Sequence, residues 1–171
     1  FQKQEIPPLI KNSKLKIKNL IFITAGNQGS HAINSVIQQV LPQLSQFNVI
    51  HQTGKNDINQ FDSLSLIHPN YIASDYFDTD TIPWILQHAD LIISRSGANT
   101  SQEIAALRKK SVLIPLPQSQ QDEQILNANW VKKNLPESTF IISQSELNPD
   151  SLIQAINQLN KVESKFSNNI N

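Results

Sequence analysis

Cysteine is absent from the 171-residue sequence. Neither a disulfide framework nor a thiolate metal site is therefore available, a composition that suits a reducing, cytoplasmic compartment. Charge of one sign is also missing: Lys and Arg total 14, Asp and Glu total 14, and the formal net charge is zero. No broad electrostatic field exists to gather nucleic acid or an anionic membrane, so any bound anion must be held by local groups. Long hydrophobic runs are missing as well. None approaches the roughly 20 apolar residues that cross a bilayer, and the longest, such as Leu20 to Ala25, read as buried strands. Glycine occurs only four times, which makes the loops that contain it easy to single out.

The length suffices for one α/β domain with a real core and is too short for two ordinary ones. The sequence opens with Phe1 and carries no signal-peptide pattern, so it is expected to be part of something longer. Residues 1–18 are polar, contain Pro7-Pro8 and show no sustained period, which predicts a linker or lead-in. From Leu20 onward, short β-rich runs alternate with segments of helical period. Strands are expected at Leu20–Thr24, Phe47–His51, Tyr71–Ser74, Leu91–Ser94, Val112–Leu116 and Thr139–Ile142. Between them, Ile33, Val36, Ile37, Val40 and Leu41 form an apolar stripe within a predicted helix His31–Leu44. Ile82–His88, Thr100–Leu107, Gln121–Lys133 and Ser151–Leu159 read similarly. Strands apolar throughout and separated by helices imply a parallel sheet buried on both faces, that is, a Rossmann-like α/β domain over 19–162. A Ser/Asn-rich tail, 163–171, is expected to fray. Ligands of such sheets bind beyond the carboxyl ends of the strands, so the loops there carry the chemistry.

The first strand runs into Ala25-Gly26-Asn27-Gln28-Gly29-Ser30 and then a helix. Two glycines and several free N–H groups at a helix N-terminus can cradle a phosphate, while the same residues also make a tight turn capped by Ser30. The spacing is Gly-x-x-Gly rather than the dinucleotide Gly-x-Gly-x-x-Gly. The second strand ends in His51-Gln52 with no acid for a ribose, which leaves NAD binding a runner-up. Lys55 follows Thr53-Gly54 without the earlier glycine of a Walker loop. After the fourth strand comes Ser94-Arg95-Ser96-Gly97-Ala98-Asn99-Thr100-Ser101-Gln102-Glu103. Thr100 and Glu103 fit a capping box. Alternatively, Gly97 to Thr100 offer donors to a diphosphate or sugar while Glu103 accepts from a ribose cis-diol. After the fifth strand, Ile114-Pro115-Leu116-Pro117 leads to Asp122-Glu123-Gln124-Ile125-Leu126-Asn127-Ala128, where Gln124 and Asn127 share a helix face, either solvated or turned into a cleft.

Taken jointly with His51-Gln52-Thr53-Gly54-Lys55 and Ala89-Asp90-Leu91-Ile92-Ile93, these loops resemble, in order and spacing, the C-terminal domain of the MurG family over roughly Leu20 to Leu159. The resemblance implies one half of an inverting GT-B glycosyltransferase. That family moves N-acetylglucosamine from UDP-N-acetylglucosamine to lipid-linked muramyl-pentapeptide, lipid I to lipid II, in peptidoglycan synthesis, without a metal or other cofactor. It further implies that Asn27, Gln28, Gly29 and Thr100 meet the diphosphate and that Glu103 holds the ribose. Arg95, Ser96 and Gly97 belong to the same donor loop, Ala98 and Asn99 offer backbone groups to the sugar, and Gln124 reads sugar hydroxyls with Asn127 supporting it. Backbone near Phe77 and Asp78 reads uracil. Catalytic groups, the lipid-linked acceptor's groove and any attachment to the inner face of the plasma membrane are implied to belong to an N-terminal acceptor domain. The first loop of the family usually reads Gly-Gly-Ser-Gln-Gly, from which Ala25 and Asn27 depart.

No metal is expected. Asp78-Thr79-Asp80 matches an Asp-x-Asp metal signature, but three residues are a cheap match in surroundings of another fold. His31, His51, His68 and His88 form no i, i+4 pair and read as capping or surface residues. Two rival readings remain: a separate donor-binding subunit of a two-chain transferase, and one half of a UDP-sugar epimerase.

Overall fold

The computed structural model describes residues 5–118 and 120–167. Six strands form where the apolar runs lie: β1 (Leu20–Thr24), β2 (Asn48–Gln52), β3 (Tyr71–Ser74), β4 (Leu91–Ser94), β5 (Lys110–Leu113) and β6 (Thr139–Ile141). The helices are α1 (Pro8–Lys11), α2 (His31–Val40), α3 (Ile58–Asp62), α4 (Leu64–Ile67), α5 (Thr81–His88), α6 (Ala98–Ala106), α7 (Glu123–Asn134) and α8 (Pro149–Ser167). Strand order in the sheet is β3-β2-β1-β4-β5-β6, the doubly wound order of Rossmann-like folds. Pairing is parallel between β1 and β2, β2 and β3, and β5 and β6.

Departures from the expected boundaries have local causes. The predicted helix His31–Leu44 stops at Val40 and continues as a 3-10 turn, Leu41–Leu44, because Pro42 has no N–H to extend the α-helical ladder. β5 starts two residues early, at Lys110, as the Ser111 N–H donates to Ser138 O at 2.8 Å, and it ends at Leu113 before Pro115 and Pro117. The lead-in is less loose than its composition implies. Pro7 and Pro8 open the short helix α1, Ile10 is buried, and Asn48 at the head of β2 receives the Lys16 N–H at 3.0 Å and donates to Lys18 O at 2.7 Å. At the other end α8 continues to Ser167, into the segment expected to fray. Residues 168–171 of that segment lie outside the described residues.

The chain divides into two compact units, 1–92 and 93–171. In the first, β1 is buried along its whole length, and Ile33, Val36, Ile37 and Val40 of α2 are buried at helical spacing. Trp84 and Ile85 of α5 and Phe61 of α3 complete that core. In the second unit Leu152, Ala155, Ile156 and Leu159 of α8 are buried at i, i+3, i+4, i+7, together with Ile104, Val112, Leu113, Ala128 and Val131. Each large aliphatic side chain so buried contributes about 1.5–3 kcal/mol. Among the described residues no helix is long and apolar enough to cross a membrane.

Candidate functional site

The loops that sequence pattern singles out all follow carboxyl ends of strands, and each unit holds its own set. In the first unit β1 leads into a turn in which Gly26 and Gly29 have φ of +78° and +72°. The Gly29 N–H donates to Gly26 O at 3.2 Å, and the Gly26 N–H donates to Thr24 Oγ1 at 3.1 Å. Ser30 then caps α2, accepting from the Ile33 N–H at 3.5 Å. Asn27 and Gln28 project from this turn with exposed side chains. Gly29 has a steric reason to be glycine: a Cβ there would run into Thr53 O, and one on Gly54 would lie 2.5 Å from Gln28 O. The turn is thus seated directly on the Thr53–Gly54 backbone.

Phe77 is buried edge-on against Phe22, and its backbone N–H faces Gln52 Oε1 at 3.4 Å. Gln52 carries no predicted role, yet it is the side chain that addresses this backbone. Asp78 is exposed, and its Oδ1 accepts from the Thr81 N–H at 2.7 Å and the Asp80 N–H at 3.2 Å. A hydrogen bond from the Thr81 side chain, with the backbone bonds from Thr81 and Asp80, holds its pKa below the ordinary value. The Asp78 side chain therefore serves the start of α5, and among the described residues no group of His, Asp and Glu has the arrangement of a metal site.

In the second unit α6 begins at Ala98, three residues before the start that a Thr100 cap predicts. The capping box is not formed: Gly97 occupies the cap position, has no side chain to offer, and makes only the Gly97 O to Ser101 N–H bond at 3.0 Å. Among the described residues nothing bonds the N–H groups of Ala98, Asn99 and Thr100. Three orphan donors and the positive end of the helix dipole thus converge at this terminus. Thr100 and Glu103 lie three residues apart, on one face of α6. Neighbouring protein desolvates the Glu103 carboxyl and raises its pKa above the ordinary value.

Other predicted donor-binding side chains of this unit make hydrogen bonds to neighbouring protein groups. Arg95 is half-buried, with Nη1 donating to Ile114 O at 3.0 Å and Pro115 O at 3.3 Å and Nη2 donating to Gln144 Oε1 at 2.5 Å. Burial lowers its pKa from the ordinary value. Ser96 is fully buried and donates to Gln124 O at 2.7 Å. The Nη1 and Nη2 bonds of Arg95 and the hydroxyl of Ser96 thus brace the loop against carbonyl and amide oxygens. Asn127 donates to Ser96 O at 3.1 Å, and Gln124 Oε1 accepts the Leu116 N–H at 2.9 Å. Loop and helix are locked together by these bonds. The turn before α7 places Gln121 and Asp122 in the left-handed region, φ +52° and +54°, a conformation that costs about 1 kcal/mol or more per non-glycine residue.

The histidines depart from expectation at one position. His51 is neither a cap nor a surface residue but fully buried, with a pKa lowered to about 3 by desolvation against the opposing pull of Asp57. It is neutral at any physiological pH.

With this geometry in place, a family match is informative: the glycosyltransferase family 28 C-terminal domain matches residues 20–171. The chain belongs to that family. A UDP-N-acetylglucosamine–N-acetylmuramyl-(pentapeptide) pyrophosphoryl-undecaprenol N-acetylglucosamine transferase of Clostridium perfringens is 36% identical over 155 residues, 90% of this chain and 42% of the relative. The equivalent protein of Clostridium novyi is 33% identical over 175 residues, 95% of this chain and 47% of the relative. Among solved structures, Acinetobacter baumannii MurG is similar with a TM-score of 0.67 at 28% identity, covering 82% of this chain and 42% of that one. The chain therefore spans less than half the length of these family relatives, and its fold is the Rossmann-like type found in GT-B glycosyltransferases.

Proposed function

We propose that this family 28 chain is the donor-binding domain of an inverting hexosyltransferase. Its donor is UDP-N-acetylglucosamine and its acceptor undecaprenyl-diphospho-muramoyl-pentapeptide, so the reaction converts lipid I to lipid II in peptidoglycan synthesis. The observation that carries the reading is the uncapped N-terminus of α6, where the N–H groups of Ala98, Asn99 and Thr100 have no partner among the described residues and Glu103 stands on the face of Thr100. In an inverting transfer the acceptor hydroxyl attacks the anomeric carbon and negative charge develops on the departing UDP. Preorganised N–H donors and a helix dipole stabilise such charge without a metal. The Asn27–Gly29 turn supplies a second set of donors for the diphosphate, backbone at Phe77 and Asp78 meets the uracil, and Gln124 recognises sugar hydroxyls. Arg95, Ser96 and Asn127 hold the loops in place. The general base and the lipid groove belong to an N-terminal acceptor domain, which also brings the enzyme to the inner face of the plasma membrane, so this chain binds donor without turning it over alone.

Calorimetric titration with UDP, UDP-N-acetylglucosamine, UDP-glucose and NAD tests the reading. Uridine nucleotides are expected to bind, NAD is not, and Glu103→Ala is expected to weaken UDP by about tenfold or more, the loss of charge-assisted hydrogen bonds. Binding of NAD in preference to UDP, or unchanged UDP affinity in a folded Glu103→Ala protein, refutes it.

A further inference from the structure

One buried network in the first unit has no part in the reading above. His51 of β2, fully buried, meets the Tyr71 hydroxyl with Nδ1 at 2.8 Å and Asn34 Oδ1 with Nε2 at 3.0 Å. Asn34 of α2, also buried, spends its Nδ2 donors on Thr53 O at 2.8 Å and Asp57 Oδ2 at 2.8 Å. Asp57 in turn faces His31 Nδ1 at 3.3 Å. The chemistry fixes every orientation. A carbonyl and a carboxylate both accept, so the amide nitrogen of Asn34 must face them, and its oxygen must face His51. His51 then carries its proton on Nε2, and Tyr71 donates to Nδ1. Each buried polar atom named has a partner, and a fully satisfied network of this kind defines one arrangement rather than several.

What the network holds is the Thr53 carbonyl, on which Gly29 rests. The space a Gly29 Cβ would need is filled by Thr53 O, and the space a Gly54 Cβ would need is filled by Gln28 O and Gly29 Cα. Any movement of Thr53 is thus passed to the turn that carries Asn27 and Gln28. Resting on the donor-site reading, we propose that Asn34, oriented by His51 and Tyr71, is a positioning residue for the diphosphate of the donor, the strut that fixes Thr53–Gly54 beneath the Asn27–Gly29 turn.

The test is the affinity of the 171-residue chain for UDP and for uridine, each followed by NMR, in wild type, Asn34→Ala and Tyr71→Phe. Amide hydrogen exchange of Gly29 and Gly54 is measured alongside. Asn34→Ala is expected to weaken UDP about tenfold, since small misplacements of preorganised donors cost affinity steeply. Uridine, which lacks the phosphates, should change less than about twofold on the same reasoning. The Gly29 and Gly54 amides should exchange faster while those of β1 keep their protection. Tyr71→Phe should shift the same observables in the same direction by less, and it serves alone should Asn34→Ala not fold. A merely structural role would move UDP and uridine together; that outcome, or wild-type exchange at Gly29 and Gly54 in the variants, overturns the strut. Failure of the wild-type chain to bind UDP instead removes the donor reading, and the inference with it, while exchange at Gly29 still decides whether Asn34 holds the turn.

Discussion

Gly29 and Gly97 each sit in a loop that carries a strand into a helix, and they are glycine for different reasons. Gly29 adopts a left-handed φ of +72° against a wall of backbone, and the helix it introduces is capped by Ser30. Gly97 has an ordinary φ of −62° and open space where a Cβ would stand, and the helix behind it is uncapped. The first glycine is demanded by packing, the second by nothing in the fold. A position that ordinary residues could fill at no steric cost, with three backbone donors left open among the described residues, is where the proposed donor would supply what the protein does not. The two turns look alike in sequence, yet they divide the work: one gives shape to its unit, the other leaves a terminus open.

Gly29→Ala breaks the comparison on the side of packing and carries the largest effect. A left-handed conformation costs a non-glycine residue roughly 1–2 kcal/mol, and displacing the Thr53 carbonyl adds an overpacking term of similar size. A loss of about 2–4 kcal/mol in unfolding free energy is expected from urea titration. Should Gly29→Ala unfold at the wild-type midpoint, the turn is not seated as tightly as its contacts indicate, and the contrast with Gly97 disappears.

Gly97→Ser sharpens the comparison on the side of the ligand, with stability and affinity moving in opposite directions. A serine at the cap can accept from an N–H of the first turn, which stabilises a helix by a few tenths of a kcal/mol relative to glycine. The same hydroxyl competes for the donors that the diphosphate or sugar is expected to use. Thermal unfolding should therefore rise slightly while UDP affinity falls by roughly three- to tenfold, the loss of about one hydrogen bond. A variant that is more stable and binds UDP as well as the wild type would mean that the open terminus is not the ligand's.

How far these differences were legible in the sequence depends on the kind of signal. The alternation of apolar runs with helical stripes is a strong periodic pattern, and the strands β1, β3 and β4 coincide with it. Boundaries moved where single residues decide them: Pro42 cut a helix short, and pairing with Ser138 drew β5 forward. Thr100-x-x-Glu103 fits a capping box by spacing alone, but a cap is set by where the helix begins, and α6 starts three residues earlier, with Gly97 at the cap position. Arg95 and Ser96 sit in a glycine-bearing loop and so look like ligand-facing groups. Only three-dimensional placement reveals that carbonyls of Ile114, Pro115 and Gln124 claim them. His51 was hardest to read, because burial of a neutral imidazole depends on partners drawn from α2 and β3, 17 and 20 residues away in sequence, and no local motif encodes that.

The smallest effect separates serines that hold the second unit's loops from serines that merely fill it. Ser96 donates to Gln124 O and receives Asn127 on its own carbonyl, whereas Ser101, one turn along α6 and equally buried, has no partner for its hydroxyl among the described residues. Removing a satisfied buried hydroxyl leaves its acceptor unpaired and costs about 1–3 kcal/mol, while removing an unsatisfied one relieves a desolvation penalty. Ser101→Ala is accordingly expected to change the unfolding free energy by less than about 0.5 kcal/mol, in the stabilising direction, and alanine's better helix propensity acts the same way. Ser101 lies just beyond the three open N–H groups, so UDP titration of the same variant is informative. Unchanged affinity confines the ligand to Ala98, Asn99 and Thr100, whereas a marked loss of affinity would show that the donor reaches the Ser101 hydroxyl and gives it the partner it lacks in the free chain.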